Sequence, residues 1–368
     1  MPADPVSQRF TPRRLAFALA GIVALAGLML WRADQFGPRG GERVLLALTG
    51  PTMGTTFTVK AVQPKRTQAS DVEVQALVQA ALDRVDILMS TYRMDSEISR
   101  FNADTLLAPF PISPETAEVI ACALKVSGQS AGAYDITVGP IVNAYGFGPE
   151  GRKTPPTGAQ IEELRRHVGY GKLEFDSVAP ALRKTDPALF VDLNSLAPGF
   201  AADLLARGLE GRGIHDYMIE IGGEVRAKGR NVEGLAWRVG IERPAEGERT
   251  VQRVVSLDGL SLATSGDYRA YYEENGVRIS HTIDARTGHP VAHNLASVSV
   301  LHPECMWADA YATAIIALGP EDGYQMAEML KLPALFITRE PDGSFAERAT
   351  PAYRERFGLL DAGATPKS

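Results

Sequence analysis

The segment SHTIDARTGHPV, residues 280–291, combines two histidines, an aspartate, an arginine and a threonine with a glycine and a proline. Gly288 and Pro290 exclude a helix, so this segment is predicted to be a loop. His281 and Asp284 lie three residues apart, and histidine is the side chain best suited to accept a proton near neutral pH. The alternative is a solvated hairpin loop, which is the more common setting for a single histidine.

A second polar group lies in WADAYATAIIALG, where Asp309 and Thr313 are four residues apart on a segment with helical patterning. Side chains at this spacing project from the same face of a helix. A carboxylate and a hydroxyl oxygen that converge near a helix start suit Mg²⁺, and the helix end can stabilise a phosphate. The alternative is a first-turn aspartate that only interacts favourably with the helix dipole.

A third group lies in VDLNSLAPGFAAD, residues 191–203. The pattern predicts a strand that ends at Asp192, a turn through Asn194 and Ser195, and a helix that begins near Gly199. Turns between a strand and a helix often present backbone groups to a ligand, although an ordinary connection fits the pattern equally well.

Several common sites are excluded by absent motifs and by composition. The sequence contains no GxxxxGK[ST], no HExxH and no GxGxxG directly after a predicted strand, which argues against the usual NTPase, zinc-protease and dinucleotide-binding sites. Cys122 and Cys305 have no zinc-ligand spacing. A net charge of −6 argues against nucleic acid as the main partner.

Interleaved helices and strands must position these groups. A helix is predicted over 74–89, with Ser70 and Glu73 as a capping box, and a second begins at Ser113 and Pro114. Further helices are predicted at 308–318 and from 321, and strands at 55–62, 217–229, 237–241, 251–256, 277–283 and 296–301. Several strand pairs have the pattern of hairpins, so the predicted class is α+β.

The N-terminal region indicates export from the cytoplasm. Residues 1–14 are basic, and the run 15–31 contains no charge and no proline. The basic flank predicts a cytoplasmic N-terminus, a single-pass anchor in the inner membrane and a periplasmic domain. Small residues in the run permit cleavage instead, with export to the periplasm. Residues 32–49 are predicted to be a linker and residues 50–368 the functional domain.

Eight segments, in order, resemble the ApbE family of FAD:protein FMN transferases. Together they cover nearly all of the chain after the linker, and their order makes the resemblance specific although each is weak alone. They are MGTTFTV (53–59), LMSTYRMDSEISRFN (88–102), GAYDITVGPIVNAYGFG (132–148), VDLNSLAPGFAAD (191–203), IEIGGEVRAKG (219–229), WRVGIERP (237–244), LATSGDYRAYYEENGVRISHTIDARTGHPV (262–291) and ADAYATAIIALG (308–319).

The resemblance implies a T-fold-like α+β architecture with mixed or antiparallel sheets, flanking helices and a cleft that holds FAD, with Mg²⁺ at its pyrophosphate. His281 matches the essential histidine of the family, and Asp284 is the second candidate for the base. Asp284 and Thr287 would shape the loop, and His289 would take no part. Metal ligation is implied for Asp309, Thr313 and the backbone carbonyl of Ser195. Contacts with FAD are implied for Met53, Tyr92, Ala133, Tyr134, Asp135, Asp192, Pro198 and Ile283.

The implied reaction is Mg²⁺-dependent transfer of FMN from FAD to a threonine or serine of another protein, with release of AMP. By the same resemblance, the acceptor would be a membrane-associated redox subunit that carries a Ser/Thr-Gly-Ala-Ser/Thr type motif. Two other functions remain open, namely a metal-dependent FAD pyrophosphatase and a non-catalytic FAD-binding protein.

The chain departs from the family pattern at two positions. Pro198 stands where relatives often carry a charged side chain, so only backbone or apolar contact with FAD remains there. Ala285 replaces a common proline after Asp284, which would loosen the loop. Neither change removes a candidate metal ligand or His281, so activity is expected to survive.

Overall fold

The computed structural model describes residues 43–65, 69–149, 151, 155–245, 250–268, 270–274 and 277–358. The chain divides into two compact units, and the smaller one, residues 1–44 and 64–68, lies almost wholly outside these ranges. The basic N-terminus, the anchor or signal segment and most of the predicted linker therefore lie outside the described residues. Within those ranges, no helix combines the length and the apolar character that crossing a membrane requires.

An eight-stranded sheet organises the described chain. Its strands in spatial order are β1 (Arg43–Thr52), β2 (Thr55–Pro64), β6 (Asp216–Ile221), β7 (Glu224–Lys228), β10 (Leu260–Gly266), β15 (Leu295–His302), β16 (Ala334–Arg339) and β17 (Phe345–Ala349). Every neighbouring pair from β2 to β17 is antiparallel. This pairing, together with the helices below, confirms the predicted α+β class.

Four smaller sheets lie beside it. A three-stranded sheet has the order β3 (Phe110–Pro111), β5 (Ala181–Lys184) and β4 (Leu173–Asp176). The other three are antiparallel pairs, namely β8 (Trp237–Glu242) with β9 (Val251–Leu257), β11 (Tyr271–Glu274) with β12 (Val277–Ser280), and β13 (Ile283–Asp284) with β14 (His289–Pro290).

Five of the nine described helices begin at a serine or threonine whose side chain caps the first turn. Ser70 accepts a hydrogen bond from the Glu73 amide while the Glu73 side chain accepts from Ser70, which confirms the capping box. The helices are α1 (Asp71–Met89), α2 (Glu97–Ala103), α3 (Pro114–Gln129), α4 (Gly139–Ala144), α5 (Gly158–Arg165), α6 (Ala197–Glu210), α7 (Cys305–Leu318), α8 (Asp322–Met329) and α9 (Pro351–Phe357), with a 3₁₀ turn at Tyr170–Lys172.

Side chains in the central strands of the large sheet alternate between two cores, one on each face. In β6, Ile219 and Ile221 face the larger core, which α1, α3, α6 and α7 complete. Met218, which precedes Ile219 and faces the other side of the sheet, packs on the second core with Trp237 of β8 and Tyr353 of α9. The sheet therefore holds α6 and α7 on one side and the β8–β9 hairpin on the other.

The structure corrects four boundaries. Residues 43–49 were predicted as linker but belong to β1, and α7 begins at Cys305 rather than near 308. The predicted strand over 277–283 is interrupted, since β12 ends at 280 and β13 starts at 283. Residues 189–193 form no strand, because Val191 exchanges two hydrogen bonds of 2.8 Å with the side-chain amide of Asn102. That amide satisfies the backbone as a neighbouring strand would.

Candidate active site

A cleft of about 1220 Å³ gathers residues from distant parts of the chain. Every residue that the sequence predicted to contact FAD or the metal lines this cleft, and so does His281, whereas Asp284 does not. These lining residues are Met53, Tyr92, Ala133, Tyr134, Asp135, Asp192, Ser195, Pro198, His281, Ile283, Asp309 and Thr313. The loop of the first sequence motif and the helix of the second therefore meet at one site.

His281 is held as a neutral proton acceptor. Its Nδ1 lies 2.9 Å from the carbonyl oxygen of Ala270, which can only accept, so Nδ1 carries the proton and Nε2 is left to accept one. The ring also packs edge-on against Phe147, with centroids 6.1 Å apart. Burial lowers the pKa of His281, although the bond to Ala270 and the charge of Asp267 partly oppose this shift. The neutral imidazole therefore predominates at pH 7.

Asp284 shapes the loop from outside the cleft. Its carboxylate pairs with the Arg286 guanidinium, at 2.7 Å from Oδ2 to Nη2 and 3.0 Å from Oδ1 to Nε. The Thr287 hydroxyl donates to the Asp284 carbonyl at 3.2 Å, so both residues build the turn between β13 and β14. His289 is exposed, and its Nδ1 lies 3.2 Å from the Tyr145 hydroxyl. This geometry suits Asp284 to positioning the loop and leaves His281 as the base candidate in the cleft.

Asp309 and Thr313 project from α7 into the cleft, as their spacing predicts. Asp309 is only 7% exposed, and its Oδ2 accepts a hydrogen bond of 3.2 Å from the Gly199 amide. Burial raises the pKa of Asp309 well above its ordinary value, and the nearby charge of Glu224 raises it further. The Thr313 hydroxyl lies 3.4 Å from the Ser265 hydroxyl. A bound cation would stabilise the ionised form of Asp309 in this setting.

The Ser195 carbonyl is available because of two residues in the first turn of α6, Pro198 and Gly199. The amide of Gly199, four residues on, donates to Asp309 instead of to Ser195, and Pro198 has no N–H to donate. In the part of the chain that the structure describes, no backbone amide donates to the Ser195 carbonyl. The Ser195 hydroxyl lies 3.1 Å from that of the buried Tyr134, which fixes the turn. Pro198 therefore has a structural consequence beyond the loss of a charged contact.

Local hydrogen bonds fix the other segments that line the cleft. The Asp135 carboxylate accepts from the amide and hydroxyl of Thr137, at 2.8 and 2.7 Å, and from the Tyr170 amide at 2.6 Å. Met53 has φ +48° beside Gly54 at φ +72°, in the two-residue turn between β1 and β2. Positive φ at both positions is typical of a type I′ hairpin, and it is strained for methionine.

The charge of the cleft is one-sided. No lysine or arginine is among the described residues that line it. Seven residues with carboxyl groups line it, namely Asp86, Asp135, Asp192, Glu220, Glu224, Glu242 and Asp309. A diphosphate bound here would meet negative charge, so a bound cation would strengthen its binding. Sequence analysis missed Glu220 and Glu224, and the signal that could have found them is their position on either side of Gly222 and Gly223.

The oxygen donors of this site fit a hard divalent cation. Within the described ranges, no three His, Cys, Asp or Glu side chains come close enough together to hold a metal by themselves. The candidate set needs no such cluster, because it combines one carboxylate (Asp309), one hydroxyl (Thr313) and one backbone carbonyl (Ser195). The remaining positions around Mg²⁺ are commonly filled by water and substrate phosphates.

Comparisons with known proteins show which family the chain resembles. The ApbE family model matches residues 53–336. The FAD:protein FMN transferase of Vibrio cholerae is 41% identical over 334 residues, which cover 90% of this chain and 97% of the relative. The enzyme of the same name from Haemophilus influenzae is 41% identical over 342 residues, which cover 92% and 97%.

Solved structures share the fold. The flavin transferase ApbE from Vibrio cholerae gives a TM-score of 0.80 at 39% identity and covers 86% of this chain and 100% of that one. The apo flavinyl transferase ApbE from Pseudomonas stutzeri gives 0.79 at 38% identity and covers 86% and 98%. The family model spans most of the chain, and the relatives match over nearly their whole length. This chain therefore belongs to the ApbE family.

Proposed function

We propose that this protein transfers FMN from FAD to a threonine or serine hydroxyl of an acceptor protein and releases AMP. The observation that carries the proposal is the cleft, because a neutral His281 and the oxygen donors Asp309, Thr313 and Ser195 all line it. The names of the relatives, which are 41% identical over nearly the whole chain, support the same activity.

In the proposed reaction, the acceptor oxygen forms a bond to the phosphorus of the FMN half of FAD. The bond from that phosphorus to the bridging oxygen breaks, and AMP leaves with the bridging oxygen. The hydroxyl proton goes to Nε2 of His281, whose Nδ1–H stays on the Ala270 carbonyl. A positioned base of this kind contributes on the order of 10²–10⁴ in rate.

Asp309, Thr313 and the Ser195 carbonyl would hold Mg²⁺, which supplies positive charge to the pyrophosphate and to the departing AMP. The Gly199 amide orients the Asp309 carboxylate for this role. Without the cation, the ionised carboxyl groups of the cleft would repel the pyrophosphate. FAD binding is therefore expected to weaken when divalent cations are removed by EDTA.

The apolar part of the cleft suits the rings of FAD. Met53, Val138, Val142 and Phe147 line it together with Tyr92, whose side chain is 63% exposed. A partly exposed aromatic side chain can stack on an aromatic ligand. Tyr134 and Asp135 are fixed by their own hydrogen bonds, so this wall is formed before the ligand arrives.

Product analysis separates the three candidate functions. We expect AMP release from FAD and Mg²⁺ to depend on an acceptor protein and to match the flavin bound to it one to one. AMP and free FMN at the same rate without an acceptor would indicate a pyrophosphatase. Tight FAD binding without AMP under either condition would indicate a binding protein.

The acceptor would be a membrane-associated redox subunit with a Ser/Thr-Gly-Ala-Ser/Thr type motif. This part of the proposal rests on the family resemblance. A peptide with that motif should receive FMN, and its variant with alanine in place of the acceptor hydroxyl should not. Equal labelling of both peptides would contradict the motif.

We also propose an inner-membrane location with the functional domain in the periplasm. The charge-free run 15–31 behind Arg9, Arg13 and Arg14 supports it. A reporter that is active only after export, fused after residue 45, should be active. A fusion at the same point that is active only in the cytoplasm should be silent, and the opposite pattern would contradict this topology.

A further inference from the structure

Helix α7 carries both side chains proposed to bind the metal, yet its own sequence does little to stabilise its ends. The residue before it, Glu304, makes no side-chain capping bond, the first turn holds no acidic residue, and the last turn holds no basic one. Such ends leave amides and carbonyls to be satisfied by groups from elsewhere.

Asp203 of α6 caps the N-terminal end from another helix. Its Oδ1 accepts from the Cys305 amide at 2.8 Å, and its Oδ2 accepts from the Met306 amide at 2.9 Å. Asp203 is fully buried, and Arg226 of β7 donates to the same carboxylate. A carboxylate at this end also interacts favourably with the helix dipole. One side chain thus fixes where α7 begins.

His293 holds the C-terminal end. Its Nε2 donates to the Ile316 carbonyl at 2.8 Å, while its Nδ1 accepts from the Leu295 amide at 3.3 Å. The two bonds fix the tautomer and the ring orientation. A Cβ at Gly319 would lie 2.7 Å from the His293 ring, so glycine at that position leaves the imidazole room to reach the helix.

We propose that Asp203 and His293 are positioning residues that fix α7 at both ends and thereby set the affinity of the metal site. Asp309 lies four residues after Cys305, and Thr313 lies three residues before Ile316, so each ligand is about one turn from a fixed end. A shift of either end therefore moves a ligand directly. The inference rests on the proposed function, because the site that α7 positions is the proposed Mg²⁺ site.

The test is calorimetric titration of MgCl₂ into the full-length protein with FAD bound and no acceptor present. Asp203→Asn keeps the shape of the side chain but removes its charge and one of its two acceptors. We expect the Kd for Mg²⁺ to rise about 10- to 100-fold, as is found when groups that orient metal ligands are changed. Glu118→Gln is the matched control, because it removes the same charge from an exposed ion pair with Arg207 of α6. Its Kd should equal that of the unchanged protein.

Near-ultraviolet circular dichroism shows whether the Asp203→Asn variant is folded. If it is folded and its Kd for Mg²⁺ lies within about twofold of the control, Asp203 only stabilises the fold and the inference is wrong. If Asp203→Asn does not fold, the other end decides: His293→Ala should raise the Kd and His293→Gln, which keeps a donor, should restore it. Equal Kd values for these two would overturn the inference. Absence of Mg²⁺ binding by the unchanged protein would overturn the proposed metal site, and the inference with it.

Discussion

Replacement of Gly199 by alanine tests whether the contact between α6 and α7 controls the site. A Cβ at this position would lie 2.8 Å from the carbonyl oxygen of Cys305 and 2.9 Å from the Met306 Cα. Non-bonded carbon atoms are most stable about 3.5–4.0 Å apart. Both obstacles are backbone atoms, so one helix must move by several tenths of an ångström to about 1 Å to make room.

Two consequences are expected from that movement. Overpacking of this kind costs about 1–3 kcal/mol of the free energy of unfolding. The Gly199 amide donates to Asp309, so the shift also moves a proposed metal ligand. A misplacement of about 1 Å near reacting groups can cost on the order of 10² in rate. We therefore expect Gly199→Ala to lose far more activity than its loss of stability explains at a temperature where it stays folded.

The assays are denaturant unfolding and AMP release with FAD, Mg²⁺ and acceptor. Gly128→Ala is the matched control, because Gly128 lies in α3 and a Cβ there would meet no atom within 4 Å. The control should be neutral or more stable by about 0.5–1 kcal/mol, with unchanged activity. Gly199→Ala with the stability and rate of this control would refute the claim that α6 and α7 are in tight contact at the site.

Three further predictions concern single side chains. His281→Ala should lower turnover on the order of 10²–10⁴ while FAD affinity, measured by fluorescence, changes little. Because burial lowers the pKa of His281, the rate of the unchanged protein should fall with acid only below about pH 6.5, and an acid limb above that pH would contradict the neutral imidazole. Asp309→Ala should abolish both activity and Mg²⁺ dependence, with some FAD binding retained; wild-type rates would make Asp309 an ordinary helix residue. Asp284→Asn weakens the partly exposed pair with Arg286 outside the cleft and should lower the rate less than about tenfold without moving the acid limb. A loss as large as that of His281→Ala, with the limb gone, would make Asp284 the base.

The sequence revealed the parts of the site whose chemistry is local. The spacing of Asp309 and Thr313 on a helix sufficed to predict that both face one site, and Ser70 with Glu73 sufficed to place the start of α1. The loop of His281 was visible from its glycine and proline. In each case the physical cause lies within a few residues of the feature.

Features that depend on contacts between distant segments could not be predicted. The strand that was expected to end at Asp192 does not form, because the Asn102 side chain, 89 residues away, makes the hydrogen bonds to Val191 that a neighbouring strand would make. Asp203 is more than 100 residues away in the sequence from the start of α7 that it caps, so no residue near Cys305 could have predicted this cap. The acidic character of the cleft also arises only on folding, when Glu220 and Glu224 join Asp309.

The most direct test of the central claim is the intact mass of an acceptor protein after incubation with FAD, Mg²⁺ and this protein. We expect the acceptor mass to increase by one FMN residue, with the flavin on a single threonine or serine and one AMP released for each flavin attached. The His281→Ala variant should give little or no increase in the same time. An acceptor that keeps its mass while FAD is split into AMP and free FMN would contradict transfer, and labelling by His281→Ala at the full rate would contradict the role of His281 as the base.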